Sequence, residues 1–222
     1  MVTSDAIYAA AADGTVMRID PANGRAVWRI SAGRTLSAGA GADGSIVVVG
    51  SDKGDVLAFD TNGTALWATK VGSEVISPPK TAEGTVVVFS GDGRVYGLST
   101  KDGSRRWVYQ RANPPLIVRN YAGAVIERGG VFFGTAGGRL LGLDLATGTV
   151  GWEAAVATPK GATELERIAD VTSLPTIDER YACATAYQGR TGCFDVVRGT
   201  PVWTRDIGSL GGIAIDGKNL YV

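Results

Sequence analysis

The 222-residue sequence contains no histidine. This absence excludes Ser–His and Cys–His nucleophile pairs, zinc sites with imidazole ligands and imidazole acid–base catalysis. Most ordinary hydrolase mechanisms are therefore excluded.

The sequence also lacks an excess of charge and a long apolar run. Lys plus Arg and Asp plus Glu number 22 each, so no basic surplus is present to neutralise a phosphate backbone, and we expect no nucleic-acid partner. No apolar stretch approaches the roughly 18 residues of a membrane span. Residues 1–5 have neither the basic start nor the apolar run of a signal peptide.

Glycine, in contrast, is abundant, and it takes part in a repeat. The 32 glycines lie between short β-branched runs, which is typical of an all-β chain with many tight turns. The gaps between successive tryptophans are 39, 40, 45 and 51 residues, and each tryptophan follows a glycine by four positions. The tryptophans are Trp28, Trp67, Trp107, Trp152 and Trp203.

One repeat unit reads as four antiparallel strands. In the third unit these are Val75 to Thr81, Thr85 to Phe89, Arg94 to Leu98 and Arg106 to Val108, with glycine turns after the second and third. A four-stranded meander is the blade of a β-propeller, and we expect each tryptophan to lie against the neighbouring blade. The sequence therefore predicts an all-β propeller with about five blades.

We assign residues 1–222 to a single, partial propeller domain. The first blade lacks its innermost strand and the last unit has about two strands. Gly212 to Asp216 either completes the first blade, closing a five-bladed ring, or the ends stay open as part of a larger propeller, which we favour. The repeats span approximately 6–31, 34–70, 74–111, 118–156, 168–206 and 211–222.

Two sets of residues that suggest chemistry are better explained by turns. Gly39-Ala40-Gly41-Ala42-Asp43-Gly44 matches the dinucleotide pattern G-x-G-x-x-G, but a strand and not a helix follows it. The recurring aspartates stand at the same place in successive blades, which keeps them apart in space, so we interpret them as turn caps. They are Asp20, Asp60, Asp144 and Asp195.

Cys183 and Cys193 flank the turn Tyr187-Gln188-Gly189. If that turn carries a glycine bulge, the two cysteines are directly opposed and a cross-strand disulfide can form. Two buried thiols that act as small core residues are the alternative.

The two longest gaps each hold an insertion in the connection between blades. The first is Gln110 to Asn120, with two prolines, apolar residues and an arginine, and the second is Thr158 to Asp170, which is charged and amphipathic. We expect these loops to leave consecutive blades on one face and to form a binding surface, with simple loop elaboration as the alternative.

The blade pattern resembles the quinoprotein-type, PQQ-like propeller repeat, and the loops resemble those of the BamB family of the outer-membrane β-barrel assembly machinery. The second loop carries the specific match, to a G-x-T-E-apolar-acidic-R-apolar-x-D-V-D-x-x-P run. Its matching residues are Gly161, Thr163, Glu164, Leu165, Arg167, Ile168, Asp170, Val171 and Pro175.

The resemblance implies an eight-bladed propeller, of which this chain is a part, on the periplasmic face of the outer membrane of a Gram-negative bacterium. It implies a scaffold that binds the POTRA domains of BamA through Leu116, Val118, Arg119 and Asp170. Thr172 is a further predicted contact residue, and it stands where the family has the second aspartate of D-V-D. Unfolded outer-membrane proteins are further implied partners, and membrane attachment is through a lipid anchor absent from this chain.

The resemblance also implies an oxidising compartment, which favours the disulfide. It implies a protein that is not an enzyme and that has no cofactor. Two alternatives remain: a fragment of a PQQ-dependent dehydrogenase, which needs carboxylate and amide ligands around a metal-bound quinone, and a generic periplasmic propeller that binds peptides.

Overall fold

A computed structural model of the protein describes residues 1–112, 116–118, 122–216 and 218–222. Within these residues the structure is all-β: strands alternate with turns, and no helix is present that is long and apolar enough to cross a membrane. The chain divides into two compact units, residues 1–110 and 111–222.

The first unit contains three antiparallel sheets, here called blades 1 to 3. Blade 1 has three strands, and blades 2 and 3 have four strands each, paired in sequence order. Blade 1 consists of β1 (Ile7–Ala10), β2 (Thr15–Ile19) and β3 (Ala26–Ser31). Blade 2 consists of β4 (Gly41–Ala42), β5 (Ile46–Gly50), β6 (Asp55–Asp60) and β7 (Ala65–Lys70). Blade 3 consists of β8 (Lys80–Ala82), β9 (Thr85–Phe89), β10 (Arg94–Ser99) and β11 (Arg105–Gln110).

The second unit contains two four-stranded blades and a terminal strand pair. Blade 4 consists of β12 (Val125–Glu127), β13 (Gly130–Thr135), β14 (Arg139–Asp144) and β15 (Val150–Ala155). Blade 5 consists of β16 (Thr176–Ile177), β17 (Tyr181–Thr185), β18 (Thr191–Asp195) and β19 (Pro201–Arg205). The terminal pair is β20 (Ala214–Ile215) with β21 (Leu220–Tyr221). The predicted class, an all-β propeller with four-stranded antiparallel blades, is confirmed.

In blades 2 to 5 the two central strands are largely buried, and the outer strand is largely exposed. β5 is buried along its whole length, whereas β7 alternates between exposed and half-buried positions. The buried side chains of neighbouring blades meet in common clusters, such as Val48 and Val56 of blade 2 with Val86 and Val88 of blade 3. Each blade therefore needs a neighbour to cover its apolar faces.

The innermost strands are shorter than the sequence predicts. β8 begins at Lys80, while Val75, where we expected the strand to begin, forms only an isolated bridge with Ser90. Pro78 and Pro79 lie between these points and have no N–H to donate to a ladder. The inner segment is thus held at two points and not along its length.

Each outer strand contains an extra residue near its tryptophan. In blade 2, Ala58 pairs with Trp67 and Phe59 with Ala65, so Leu66 is unpaired in a bulge. The indole N–H of Trp67 then donates to the carbonyl oxygen of Thr100 in the next blade at 2.8 Å. Trp28 and Trp152 make the same bond with Thr61 and Val196 at 2.9 Å. Trp203 is half-buried, opposite Cys193, and Trp107 is buried, opposite Gly97.

The recurring aspartates cap turns, as their positions indicate. The carboxylate of Asp60 accepts the backbone N–H groups of Asn62 (2.9 Å) and Thr64 (2.8 Å). The backbone bond from Thr64 holds the pKa of Asp60 below its ordinary value, and the bond from the Thr147 hydroxyl does the same for Asp144. Because they lie in turns of separate blades, these carboxylates do not form a common site.

Candidate functional site

Both described ends of the first loop are bonded to other residues of the second unit. Near its start, Arg111 forms an ion pair with Glu153 of β15 at 2.8 Å, and Arg139 approaches the other oxygen of Glu153 at 3.4 Å. Near its end, the N–H of Val118 donates to the Oδ2 atom of Asp170 at 2.7 Å. Leu116 and Ile117, which precede Val118, are exposed. Arg119 lies outside the described residues.

Asp170 is the centre of the site, because it bonds three segments of the chain. Its Oδ1 atom accepts the N–H of Gly137, in the turn between β13 and β14, at 2.8 Å. Its backbone carbonyl accepts the N–H of Tyr187, in the turn between β17 and β18, at 2.8 Å. Together with the bond to Val118, these contacts join the first loop, the second loop and two blade turns.

The Asp170 carboxylate supplies the blade 4 turn with a side-chain acceptor from a distant part of the chain. In blade 1 the corresponding turn is capped by Asp13, which accepts the N–H of Thr15 at 2.8 Å. Residues 136–138 of blade 4 are Ala-Gly-Gly and have no side-chain acceptor of their own. Asp170 is only 3% exposed. We call its bonds to Val118, Gly137 and Tyr187 the Asp170 clasp, because they hold these segments together inside the protein. Direct contact between Asp170 and a partner protein stays a prediction.

The second loop contains a single helical turn with a capping box. The N–H of Glu166 donates to the Thr163 hydroxyl (3.3 Å), and the Glu166 carboxylate accepts the N–H groups of Thr163 (3.1 Å) and Ala162 (2.8 Å). These backbone bonds hold the pKa of Glu166 below its ordinary value. Arg167 closes the turn by donating to the carbonyl oxygen of Gly161 at 3.0 Å.

Most of the residues that carry the family resemblance therefore have internal partners in this loop. The side chain of Leu165, in contrast, is 68% exposed at the helical turn. The role of Glu166 has a local signal in the sequence, because the pattern Thr-x-x-Glu over Thr163 to Glu166 is the ordinary mark of such a box. The loop is thus a preformed element that presents a leucine.

Thr172, the other predicted contact residue, is half-buried. Its hydroxyl is buried and has no hydrogen-bond partner among the residues that the structure describes. A threonine cannot supply the negative charge that the resemblance associates with this position. Its part in partner binding stays a prediction.

Cys183 of β17 and Cys193 of β18 are directly opposed and joined by a disulfide, and both are buried. The turn between their strands differs from the one expected. Gln188 takes the left-handed conformation, with φ of 48°, and Gly189 does not. Gly189 is instead needed for space, since a Cβ there would lie 2.7 Å from the Cβ of Ala157.

We expect reduction of this disulfide to lower the free energy of unfolding by about 2.5–3 kcal/mol, because the bond closes a short loop in the unfolded chain. Urea denaturation with and without reductant measures the difference. The double variant Cys183→Ser, Cys193→Ser is the control and must be insensitive to reductant. Identical urea midpoints for the oxidised and reduced wild-type protein would contradict the expectation.

Comparison with known proteins shows to which family this chain belongs. The profile described as "Outer membrane protein assembly factor BamB" matches residues 12–222. The chain belongs to the BamB family. It is 49% identical over 217 residues to the BamB of Nitrosomonas eutropha, covering 98% of this chain and 53% of that protein. It is 45% identical to the BamB of Bordetella pertussis, covering 99% of this chain and 57% of that protein.

The chain thus spans about half the length of these curated BamB relatives. Among solved structures, it is similar to BamB from Moraxella catarrhalis, with a TM-score of 0.85 and 27% identity over 94% of this chain and 63% of that one. A quinohemoprotein alcohol dehydrogenase from Comamonas testosteroni has a TM-score of 0.73 at 14% identity, covering 94% of this chain and 42% of the enzyme. That likeness shows a shared fold alone.

The described residues offer no cluster of three or more acidic or cysteine side chains suited to a metal ion. The carboxylates near the two loops are already engaged: Asp170 and Glu166 by backbone amides, and Glu153 by two arginines. What the site offers is a set of exposed aliphatic side chains on loops that are held in place. Such an arrangement suits binding of another protein.

Proposed function

We propose that this chain is a non-catalytic scaffold of the outer-membrane β-barrel assembly complex, located on the periplasmic face of the outer membrane. In this proposal it binds the POTRA domains of BamA and assists the insertion of outer-membrane proteins. The observation that carries the proposal is the clasp of Asp170 on Val118, which fixes the first loop with Leu116 and Ile117 exposed.

The proposed contact surface has an apolar part and a charged part. Leu116 and Val118 lose water when a partner packs against them, and Arg119 makes a charge-assisted bond within the desolvated patch. Asp170 acts through Val118 and not on the partner, because both of its carboxylate oxygens already accept backbone N–H groups. It is therefore a positioning residue in this proposal.

We expect the variants Leu116→Asp and Arg119→Glu each to weaken binding of the purified POTRA domains of BamA by about tenfold or more, since each removes one of the proposed contacts. Titration of the POTRA domains against the whole chain measures the affinity. Leu66→Asp is the matched control, because Leu66 is 50% exposed but lies on β7 in the first unit.

Thermal melting separates lost binding from lost folding in these variants. Leu116 is exposed, so we expect the melting temperature of Leu116→Asp to stay close to that of the wild type. The proposal is wrong if the wild-type chain does not bind the POTRA domains. It is also wrong if both loop variants bind with the wild-type affinity.

A further inference from the structure

The connections between blades expose different amounts of large apolar side chain in the two units. In the fully described first unit, the connections at residues 32–36 and 71–75 carry no large exposed apolar side chain, and Leu36, Val71 and Val75 are buried. In the second unit the first and second loops expose leucines, and so does a third connection, residues 206–213, which follows blade 5. In this third connection Ile207 is 53% exposed and Leu210 is 58% exposed.

The third connection is held firmly despite this exposure. Asp206 forms an ion pair with Arg190 next to the blade 5 turn, and the hydroxyl of Thr191 donates to the carbonyl oxygen of Ile207 at 2.7 Å. Gly208 lies against the same turn, because a Cβ there would be 2.8 Å from the carbonyl oxygen of Ala186. The two aliphatic side chains are thus presented by a fixed backbone.

A groove of about 330 Å³ lies between this connection and the blade 5 turn. Its lining residues are Tyr187, Gln188, Gly189, Gly208, Ser209 and Leu210. None of them is charged, and the nearby pair of Arg190 with Asp206 is neutral overall. The groove therefore suits an apolar protein segment and offers no charge to attract a phosphate or another anion.

The groove is continuous with the site around Asp170. The N–H of Tyr187, which lines the groove, donates to the backbone carbonyl of Asp170 at 2.8 Å. Gly189 lies against Ala157, which directly precedes the second loop. Lys160 of that loop is close enough to Asp206 that its charge contributes to lowering the pKa of that carboxyl, after the larger effects of Arg190.

We propose that the surface for the POTRA domains extends beyond the two loops into this groove, and that Ile207 and Leu210 pack against an apolar segment of the same partner. This inference rests on the proposed function, because it assigns a second contact to the same partner. The groove is continuous with the Asp170 clasp through Tyr187 and Ala157, and this continuity favours the same partner as the occupant. An unfolded outer-membrane polypeptide in the groove is the competing outcome.

The test compares two matched double variants by titration of the POTRA domains of BamA. We expect Ile207→Asp with Leu210→Asp to weaken binding by about tenfold or more, because two desolvated aliphatic contacts are replaced by charge. The control, Val27→Asp with Leu66→Asp, alters side chains that are 57% and 50% exposed in the first unit and should bind like the wild type. Leu210→Ser is the milder variant if the double variant fails to fold.

A photo-crosslinking amino acid in place of Leu210 identifies the occupant directly. A crosslink to the POTRA domains is the expected result, and a crosslink only to an unfolded outer-membrane polypeptide would overturn the inference. Wild-type affinity of the third-connection variants together with loss of binding by Leu116→Asp would also overturn it, while leaving the proposed function intact. Failure of the wild-type chain to bind would instead remove the proposed function itself.

Discussion

Replacement of Asp170 by alanine is expected to lower the free energy of unfolding of the second unit by about 3–6 kcal/mol. The carboxylate accepts two charge-assisted bonds, from Val118 and Gly137, and each such bond contributes about 1.5–3 kcal/mol. In the variant, the N–H groups of Val118 and Gly137 lose their acceptor at a position that is only 3% exposed. Denaturant unfolding monitored by fluorescence measures the loss.

Asp144→Ala is the matched control for this experiment. Asp144 also accepts two bonds, from the N–H and the hydroxyl of Thr147, at 2.8 and 2.7 Å, but it is exposed in its turn. Water can replace the lost acceptor there, so we expect a clearly smaller loss of stability. A loss for Asp170→Ala no larger than that for Asp144→Ala would contradict the description of Asp170 as a buried clasp.

Hydrogen exchange of single amides distinguishes the two roles that Asp170 can have in partner binding. If Asp170 positions the first loop, the variant loses protection of the Val118 and Gly137 amides together with affinity for BamA. If its carboxylate contacts the partner, affinity falls while the Val118 amide keeps its protection. We expect the first result, because the carboxylate is buried and has internal partners.

The blade strands with alternating or continuous apolar residues could be predicted from the sequence almost to the residue. β9 (Thr85–Phe89) coincides with the predicted strand, and β10 ends one residue later than predicted. Both are bounded by glycine turns, and their β-branched residues suit a buried pleated strand. The aspartate caps could be predicted for the same reason, since a turn and its cap are encoded within a few residues.

The clasp in the candidate site could not be predicted, because its partners are far apart in the chain. Asp170 and Val118 are separated by 52 residues, and Asp170 and Gly137 by 33. A backbone amide leaves no mark in the sequence that would show which carboxylate it binds. The capping box of the second loop, in contrast, is local, and its Thr-x-x-Glu signal was present in residues 163–166.

The glycines of the pattern Gly39-Ala40-Gly41-Ala42-Asp43-Gly44 show why spacing alone misleads. A strand, β5, follows them, as expected for a turn and not for a dinucleotide site. In the structure, the three glycines have different surroundings. Gly44 has φ of 90° in open space, Gly39 faces Pro78 at an ordinary contact distance of 3.4 Å, and Gly41 lies in β4 directly against the backbone of blade 3.

Gly41→Ala is therefore expected to be the most damaging of the three alanine substitutions, at about 3 kcal/mol or more. A Cβ on Gly41 would overlap the backbone carbonyl oxygen of Pro79. A carbonyl of the main chain cannot rotate away as a flexible side chain can, so the two blades would have to separate.

Gly44→Ala and Gly39→Ala are the matched controls, since they lie in the same six residues. The left-handed backbone of Gly44 should make its alanine variant less stable by about 1–2 kcal/mol, and Gly39→Ala should change stability by about 0.5 kcal/mol or less. Melting temperatures give the order, with about 2–4 °C for each kcal/mol in a chain of this size. If Gly44→Ala melted below Gly41→Ala, turn conformation and not contact between neighbouring blades would be the reason for glycine in this segment.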